Sequence, residues 1–219
     1  MSNPAVHPTT LTGVDAFIGA ADLALRTLFS PARSERAWAQ AAPLAPDALS
    51  APEKKQVAAL MRVNHTGEIC AQALYSGQAL ATKNESLRTH LVAAGAEEVD
   101  HLAWTETRLR DLASRGSVLN PLWYAGAFAI GYGAARLGDD WSLGFVAETE
   151  QQVEAHLHSH LERLPAQDST SRAILQQMQA EEARHRDEAI ALGARALPAP
   201  IKLAMRLAAK VMTSTAARI

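Results

Sequence analysis

Two widely separated parts of the sequence repeat one arrangement of metal-ligating side chains. Each part has a glutamate, followed at nearly the same distance by a second glutamate with a histidine three residues after it. Residues three apart lie on the same side of an α-helix, so each Glu-x-x-His pair can present a carboxylate and an imidazole together. The six candidate ligands are Glu68, Glu98, His101, Glu150, Glu182 and His185.

This set of side chains is typical of a carboxylate-bridged site for two metal ions inside a four-helix bundle. Four buried carboxylates would be costly as bare charges, and two divalent cations would balance them while the neutral imidazoles add no charge. Oxygen and nitrogen ligands without a thiolate suit iron or manganese. The six residues therefore predict a di-iron or di-manganese centre, in which they are both the metal ligands and the catalytic residues.

Stripes of apolar residues at helical spacing surround the candidate ligands and predict the helices that carry them. One helix is expected from Glu53 to Lys83, and a second from a turn near Asn84 to Gly116. Two more helices flank a turn at Pro165. The two glutamates of each hairpin lie at similar distances from their turn, so they should meet at one level of an antiparallel pair.

The connection between the two hairpins is too long for a turn and predicts a crossover helix, as in ferritin-like bundles. Residues 116–135 within it carry no charge. Asn120-Pro121 and four glycines argue against a membrane span, so we expect a buried or interfacial helix.

The last segment, from Ile201 on, has the pattern of a basic amphipathic helix. Such a helix could lie on an anionic bilayer or pack on the bundle with its charged side in solvent. The basic residues recur at every fourth position: Lys202, Arg206 and Lys210.

The composition of the 219-residue chain favours an all-α fold. Ala and Leu supply most of the 48% hydrophobic share, and aromatic residues make up 5%. The formal charge of −2 gives no field for nucleic acid, and we expect no nucleic-acid partner. A single cysteine, Cys70, excludes an internal disulfide, and neither a signal peptide nor a transit peptide is expected.

We expect two parts along the chain. Residues 1–52 form an N-terminal extension, with a short amphipathic helix from Val14 to Leu28 and a proline-containing linker from Ala42 to Pro52. Residues 53–219 form the metal-binding bundle, with the crossover helix and the C-terminal amphipathic helix attached.

Several polar neighbours are alternatives to the six ligands. Glu97 and Glu181 could reach the same histidines, and Glu154 could be a ligand or an acceptor beside one. Of the three histidines in the third bundle helix, His156 is the best candidate to face inward. Two aspartates could orient the ligand histidines or be exposed: Asp100 and Asp187.

Four segments of the sequence resemble the demethoxyubiquinone hydroxylases, a family of di-iron monooxygenases. The resemblance covers about residues 53–215 and implies that the iron ligands are the six residues named above. The segments are Asn64-His65-Thr66-Gly67-Glu68, Glu97-Glu98-Val99-Asp100-His101-Leu102, Asn120-Pro121-Leu122-Trp123 and Glu181-Glu182-Ala183-Arg184-His185.

The resemblance implies an activity, cofactors and a location. A polyprenylated 3-methyl-6-methoxy-1,4-benzoquinol would be hydroxylated on its ring with O2 and two electrons, from a reductant such as NADH. Two iron ions would be bridged by Glu98 and by Glu150 or Glu182. The enzyme would bind peripherally to the cytoplasmic side of the cell membrane and contact other proteins of ubiquinone biosynthesis. No G-x-G-x-x-G motif indicates a dinucleotide-binding domain.

Two other functions are open on the sequence alone. A different activity of a di-metal bundle, ferroxidase or manganese catalase, would use the same six ligands, and the fold does not separate these chemistries. A non-enzymatic lipid-binding bundle would instead carry its acidic residues on the surface.

Overall fold

A computed structural model describes residues 13–34, 36 and 49–219. The first twelve residues of the extension and most of the expected linker at 42–52 lie outside these residues. Within them the chain forms seven α-helices and no β-strand, which confirms the predicted all-α class. The helices are α1 (Gly13–Phe29), α2 (Ala51–Ala81), α3 (Glu85–Asp111), α4 (Asn120–Leu137), α5 (Asp139–Arg163), α6 (Ser169–Ala191) and α7 (Ala199–Ala216).

Helices α2, α3, α5 and α6 form a ferritin-like four-helix bundle from two antiparallel hairpins. Helix α2 packs on α3 and α5 packs on α6, while the hairpins meet through α3 with α6 and α2 with α5. The crossover helix α4 packs along α2, and α1 and α7 also contact α2. The predicted bundle with a long crossover and a C-terminal amphipathic helix is confirmed.

The turn residues of both hairpins start the helix that follows. Asn84 Oδ1 accepts hydrogen bonds from the backbone N–H groups of Ser86 (3.1 Å) and Leu87 (3.2 Å) at the start of α3. Asp168 Oδ1 accepts one from Ser171 N–H (2.9 Å) at the start of α6 and also binds Arg108 Nη2 at 2.9 Å. Such caps satisfy backbone donors that a helix end leaves unpaired, so they fix where each second helix begins.

Two of the three apolar clusters among the described residues lie on either side of the layer that holds the four predicted ligand glutamates. One cluster lies at the N-terminal end of α2 and the other at its C-terminal end. Their members include Met61, Leu109, Leu157 and Leu175 in the first cluster and Tyr75, Leu91, Leu143 and Ala189 in the second. The predicted stripes are buried as expected, and the acidic layer is enclosed by hydrocarbon above and below.

Helix α4 lies against α2 at very close range. A Cβ atom built on Gly131 would come within 2.2 Å of the Leu74 carbonyl oxygen, and one built on Gly77 would come within 2.3 Å of the Phe128 carbonyl oxygen. The opposite face of α4 leaves Leu122 61% exposed. The uncharged stretch therefore forms a helix with one packed face and one exposed apolar face. Among the described residues no helix is long and apolar enough to cross a membrane.

Helix α7 has the predicted amphipathic character, with a division of faces that its sequence did not reveal. Met205 faces the bundle and is half-buried, whereas Leu203, Leu207 and Val211 form an exposed apolar stripe. Lys202 does not belong to a free basic face, because its Nζ lies 2.8 Å from a carboxylate oxygen of the buried Glu148.

Candidate metal centre

The bundle brings all six predicted ligands to one level of its interior. Each of the four helices contributes one glutamate, and α3 and α6 each add a histidine one turn later. None of the six is more than 3% exposed. The residues are Glu68 on α2, Glu98 and His101 on α3, Glu150 on α5, and Glu182 and His185 on α6.

Two of the carboxylates each reach both histidines. Glu98 Oε2 lies 3.0 Å from His101 Nδ1, and its Oε1 lies 3.2 Å from His185 Nδ1. Glu182 Oε1 lies 3.3 Å from His101 Nδ1, and its Oε2 lies 3.6 Å from His185 Nδ1. Glu98 and Glu182 therefore form the centre of the cluster, and Nδ1 is the nitrogen that each imidazole turns toward it.

The other two carboxylates flank this centre. Glu68 Oε2 lies 3.5 Å from His101 Nδ1. Glu150 accepts a hydrogen bond from the hydroxyl group of Tyr75, with 2.7 Å between the two oxygens. Four of the residues, namely Glu68, Glu98, His101 and Glu182, offer ligand atoms within 4.8 Å of one another. The ligand role of the complete set of six stays a prediction.

Burial acts on the pKa of three carboxylates in the cluster, those of Glu68, Glu98 and Glu150. Loss of hydration raises the pKa of Glu68 and of Glu150 well above the usual range, and the charge of Glu182 raises both further. Burial acts in the same direction on Glu98, but the charge of His101 and its hydrogen bond to Glu98 outweigh burial and bring the pKa of Glu98 below its usual value.

The neighbouring carboxylates raise the pKa of both histidines, against the effect of burial. Burial lowers the pKa of His101, but the charge of Glu98 and hydrogen bonds to other carboxylates raise it well above the usual value. Burial likewise opposes the charged form of His185, whereas its close contacts with the carboxylates of Glu182 and Glu98 raise its pKa to about 11. Without metal, the cluster therefore balances its carboxylates with protons, and a bound cation has to displace them.

Several buried atoms of the cluster have no hydrogen-bond partner among the described residues. They are Glu98 Oε1, Glu150 Oε2, Glu182 Oε2 and His185 Nδ1. His185 Nδ1 lies close to Glu98 Oε1 and Glu182 Oε2, but these contacts do not have the geometry of hydrogen bonds. Buried polar atoms are nearly always paired, and a site for a bound ion is one of the standard reasons for an exception. Carboxylate oxygens and imidazole nitrogens are also the ligands that iron and manganese accept. The side chains present thus fit a pair of divalent metal ions.

Comparison with known proteins decides the family. Residues 55–216 match the family model described as "Ubiquinone biosynthesis protein COQ7". The chain belongs to the COQ7 family. This match agrees with the span of residues over which the sequence resembles the demethoxyubiquinone hydroxylases.

Curated relatives match the chain over nearly its full length. A protein of Variovorax paradoxus named 3-demethoxyubiquinol 3-hydroxylase is 58% identical over 94% of this chain and 98% of its own length. A protein of the same name from Aromatoleum aromaticum is 56% identical over 94% of this chain and 100% of its own length. Another from Polaromonas naphthalenivorans is 57% identical over 95% of this chain and 99% of its own length.

In this COQ7-family bundle each histidine is also held from its outer side by a carboxylate of the opposite motif. His101 Nε2 lies 2.8 Å from Glu181 Oε2, and His185 Nε2 lies 3.3 Å from Glu97 Oε2. An acceptor on the outer nitrogen fixes the ring orientation and leaves the other nitrogen free to bind metal. Glu97 and Glu181 therefore support the histidines from outside, while Nδ1 faces the cluster.

Glu97 and Glu181 were expected from the sequence only as alternative ligands, and their support of the histidines from outside was not predicted. The signal was the doubled glutamate at the start of both Glu-x-x-His motifs. Adjacent helical residues differ by about 100° around the axis, so one glutamate of each pair points inward and its neighbour points along the interface with the other helix.

Other polar residues weighed from the sequence lie away from the cluster. Glu154 forms an ion pair with Arg186. The inward-facing histidine of α5 is His160, which is 1% exposed, and the expectation that it would be His156 is wrong. The two rings are neighbours, with centroids 3.9 Å apart, so both cover one side of the helix. Of the two aspartates, Asp100 accepts hydrogen bonds from Arg36 Nε and the Ser34 hydroxyl group, and Asp187 forms an ion pair with Arg186.

Proposed function

We propose that this chain is a di-iron monooxygenase that hydroxylates the benzoquinol ring of demethoxyubiquinol in ubiquinone biosynthesis. The substrate is a polyprenylated 3-methyl-6-methoxy-1,4-benzoquinol, and O2 and two electrons are consumed for each ring hydroxylated. The observation that carries the proposal is the convergence of four carboxylates and two imidazoles inside a bundle of this family. The names of the full-length relatives supply the substrate.

The contacts favour one assignment of the ligands. Glu68 and His101 would hold one iron, and Glu150 and His185 the other. Glu98 and Glu182 would bridge the two, because each already reaches both histidines. Glu182 is therefore a better candidate for the second bridge than Glu150. When bound, ferrous iron would supply the reducing power that activates dioxygen for insertion of one oxygen atom into the ring.

Side chains around the cluster hold the ligands in place and exclude water from the site. The apolar clusters above and below the carboxylate layer keep solvent from the reacting atoms, which protects an electron-rich ring and an activated oxygen from side reactions. The buried hydroxyl group of Tyr75 fixes one oxygen of Glu150, and Glu97 and Glu181 fix the two imidazoles. Preorganised ligands of this kind need little rearrangement during the reaction.

The activity is tested with purified, iron-loaded protein, a short-tailed demethoxyubiquinol, a reductant and isotopically labelled O2. One labelled oxygen atom in each hydroxylated ring supports the proposal. Oxidation of iron without any hydroxylated quinol would instead indicate a ferroxidase. In cells, a deletion strain should lose ubiquinone and accumulate the precursor that lacks one methoxy group. A normal quinone profile in that strain contradicts the proposal.

We also propose that the enzyme binds peripherally to the cytoplasmic side of the cell membrane, where a polyprenylated substrate resides. The exposed stripe of α7 supports this, since Leu203, Leu207 and Val211 are 49%, 57% and 58% exposed beside the basic residues Arg206 and Lys210. An apolar face next to cations is typical of helices that lie on anionic bilayers. Contact with other ubiquinone-biosynthesis proteins stays a prediction.

Replacing the apolar stripe of α7 should weaken membrane binding. Each leucine or valine gains up to about 1.5–3 kcal/mol on full burial, so the triple change Leu203→Ser, Leu207→Ser, Val211→Ser should lower the vesicle partition coefficient at least about tenfold. Co-sedimentation with vesicles that contain anionic phospholipid measures this. Val92→Ser on α3, also an exposed apolar residue, is the control. Equal partition of the triple variant and the wild-type protein would exclude α7 as the docking surface.

A further inference from the structure

An arginine of the N-terminal extension contacts the carboxylate that supports His101. Arg36 lies outside residues 55–216, the part of the chain that matches the family model. Its guanidinium meets Glu181 in a two-point contact, with Nη1 3.2 Å from Oε1 and Nη2 3.0 Å from Oε2. Glu181 Oε2 in turn lies 2.8 Å from His101 Nε2. A chain of direct contacts therefore joins the extension to a predicted metal ligand.

The described part of the extension is fixed to α3 at several points around Arg36. Arg36 Nε donates to Asp100 Oδ2 at 2.5 Å, and the Ser34 hydroxyl donates to Asp100 Oδ1 at 2.7 Å. The indole N–H of Trp104 donates to the Arg36 carbonyl oxygen at 3.1 Å, and the guanidinium lies 5.6 Å from the centre of the Trp104 ring. The Trp104 ring also lies 5.2 Å from the His101 ring. These contacts determine the position of the guanidinium relative to Glu181.

The two histidines differ in where the arginine that binds their outer carboxylate comes from. On the His185 side, the outer carboxylate Glu97 is bound by Arg184, which belongs to the same helix as His185. Glu97 remains 34% exposed, whereas Glu181 is 9% exposed. Only the His101 half thus depends, among the described residues, on a side chain from outside the bundle.

We propose that Arg36 is a positioning residue for the metal site, acting through Glu181 on the ring of His101. The inference rests on the proposed di-iron function and adds a role for the N-terminal extension. A planar guanidinium fixes both oxygens of a carboxylate at once, which a lysine does not. With Arg36 in place, Glu181 keeps an oxygen on Nε2 and Nδ1 stays directed at Glu68, Glu98 and Glu182.

Arg36 also keeps the charge of the site in balance. Glu181 adds a negative charge beside four carboxylates that two divalent ions would already neutralise. The guanidinium cancels that added charge, as Arg184 does for Glu97 on the other half. The hydrogen bonds that Arg36 donates to Asp100 and Glu181 raise the pKa of Arg36, so it stays cationic. Without Arg36, the remaining described partners of Glu181 are Gln177 and His101.

The test is the rate at which a ferrous chelator removes iron from the loaded protein. Loss of an outer partner of a ligand histidine costs about 10- to 100-fold in metal affinity, and Arg36 acts one contact further out, so Arg36→Ala should release half of its iron about tenfold faster. We expect the iron that is released first to be the one bound on the His101 side of the cluster. Arg33→Ala, which removes an equal charge from the same exposed segment, should retain wild-type kinetics.

Two further variants keep the result specific. Arg36→Lys should release iron at an intermediate rate, because it restores the charge without the two-point contact. In a Glu181→Ala background, Arg36→Ala should add no further acceleration, since its route to His101 is already removed. Melting temperatures of the metal-free variants show whether a general loss of stability contributes. Such a loss would accelerate the release of both irons equally.

The outcomes separate the two proposals. If the wild-type protein holds no iron, the di-iron function itself fails. If the wild-type protein holds two irons and Arg36→Ala releases them as slowly as Arg33→Ala does, the function stands and the role of Arg36 is rejected. Additive effects of Arg36→Ala and Glu181→Ala would also reject the role, because Arg36 would then act by another route.

Discussion

Replacement of Glu98 by alanine should remove most of the bound iron and abolish measurable hydroxylation. Glu98 is fully buried and reaches both histidines, so both metal positions lose a ligand with this one change. Loss of a residue that only hydrogen-bonds to a metal ligand lowers metal affinity or activity about 10- to 100-fold. Loss of a bridging carboxylate should therefore lower iron affinity and turnover more than about 100-fold. Iron content after gel filtration and the rate of quinol hydroxylation measure the two effects.

The matched control is Glu162→Ala on α5. Glu162 is 70% exposed on its side chain and interacts only with His158 at 3.6 Å among the described contacts. This variant loses the same carboxylate from the same kind of helix, but far from the cluster, and should keep both iron and activity. If Glu98→Ala retains two irons, the assignment of Glu98 as a bridging ligand is wrong.

Gly131→Ala should destabilise the protein by about 3 kcal/mol or more. Overpacking a well-packed contact costs about 1–3 kcal/mol and occasionally more. Here the added methyl group would meet the Leu74 carbonyl oxygen at 2.2 Å and the backbone carbon behind it at 3.0 Å. Neither atom can turn aside as a side chain can, so α4 has to move away from α2. Urea unfolding of the metal-free protein measures the loss in free energy.

Gly133→Ala on the same helix isolates the effect of the close contact. A Cβ atom at Gly133 would have no neighbour within 4 Å, and alanine in a helix is favoured over glycine by about 0.5–1 kcal/mol. We therefore expect this variant to be as stable as the wild-type protein or slightly more so. Equal unfolding midpoints for Gly131→Ala and Gly133→Ala would contradict the close approach of α4 to α2.

The sequence predicted the bundle and the six clustered residues because both follow from a local period. Apolar residues at helical spacing mark the inward face, and a glutamate within such a stripe has to point inward with it. Glu68 and Glu150 lie in such stripes, as do the two Glu-x-x-His motifs. Matching distances from each turn then placed them at one height, and the structure brings Glu68, Glu98, His101 and Glu182 within 4.8 Å of one another.

Contacts between distant segments were not predictable in this way. The period of a helix indicates which face is buried, but not which residue of another helix lies opposite, so the pairing of His101 with Glu181 did not follow. Arg36 and the described residues before it, 31–34, belong to no helix, and no pattern there indicates its target. The choice of His156 over His160 failed for a related reason, since both occupy one side of α5 and local packing decides which ring is covered.

X-ray diffraction from crystals of the iron-loaded protein, measured above and below the iron absorption edge, tests the central claim most directly. We expect two anomalous peaks inside the bundle, about 3.5–4 Å apart as in other two-metal sites. One should lie beside Nδ1 of His101 and the other beside Nδ1 of His185, with Glu98 and Glu182 between them. Peaks only at the protein surface, or a single peak that Glu98 does not contact, would contradict the account.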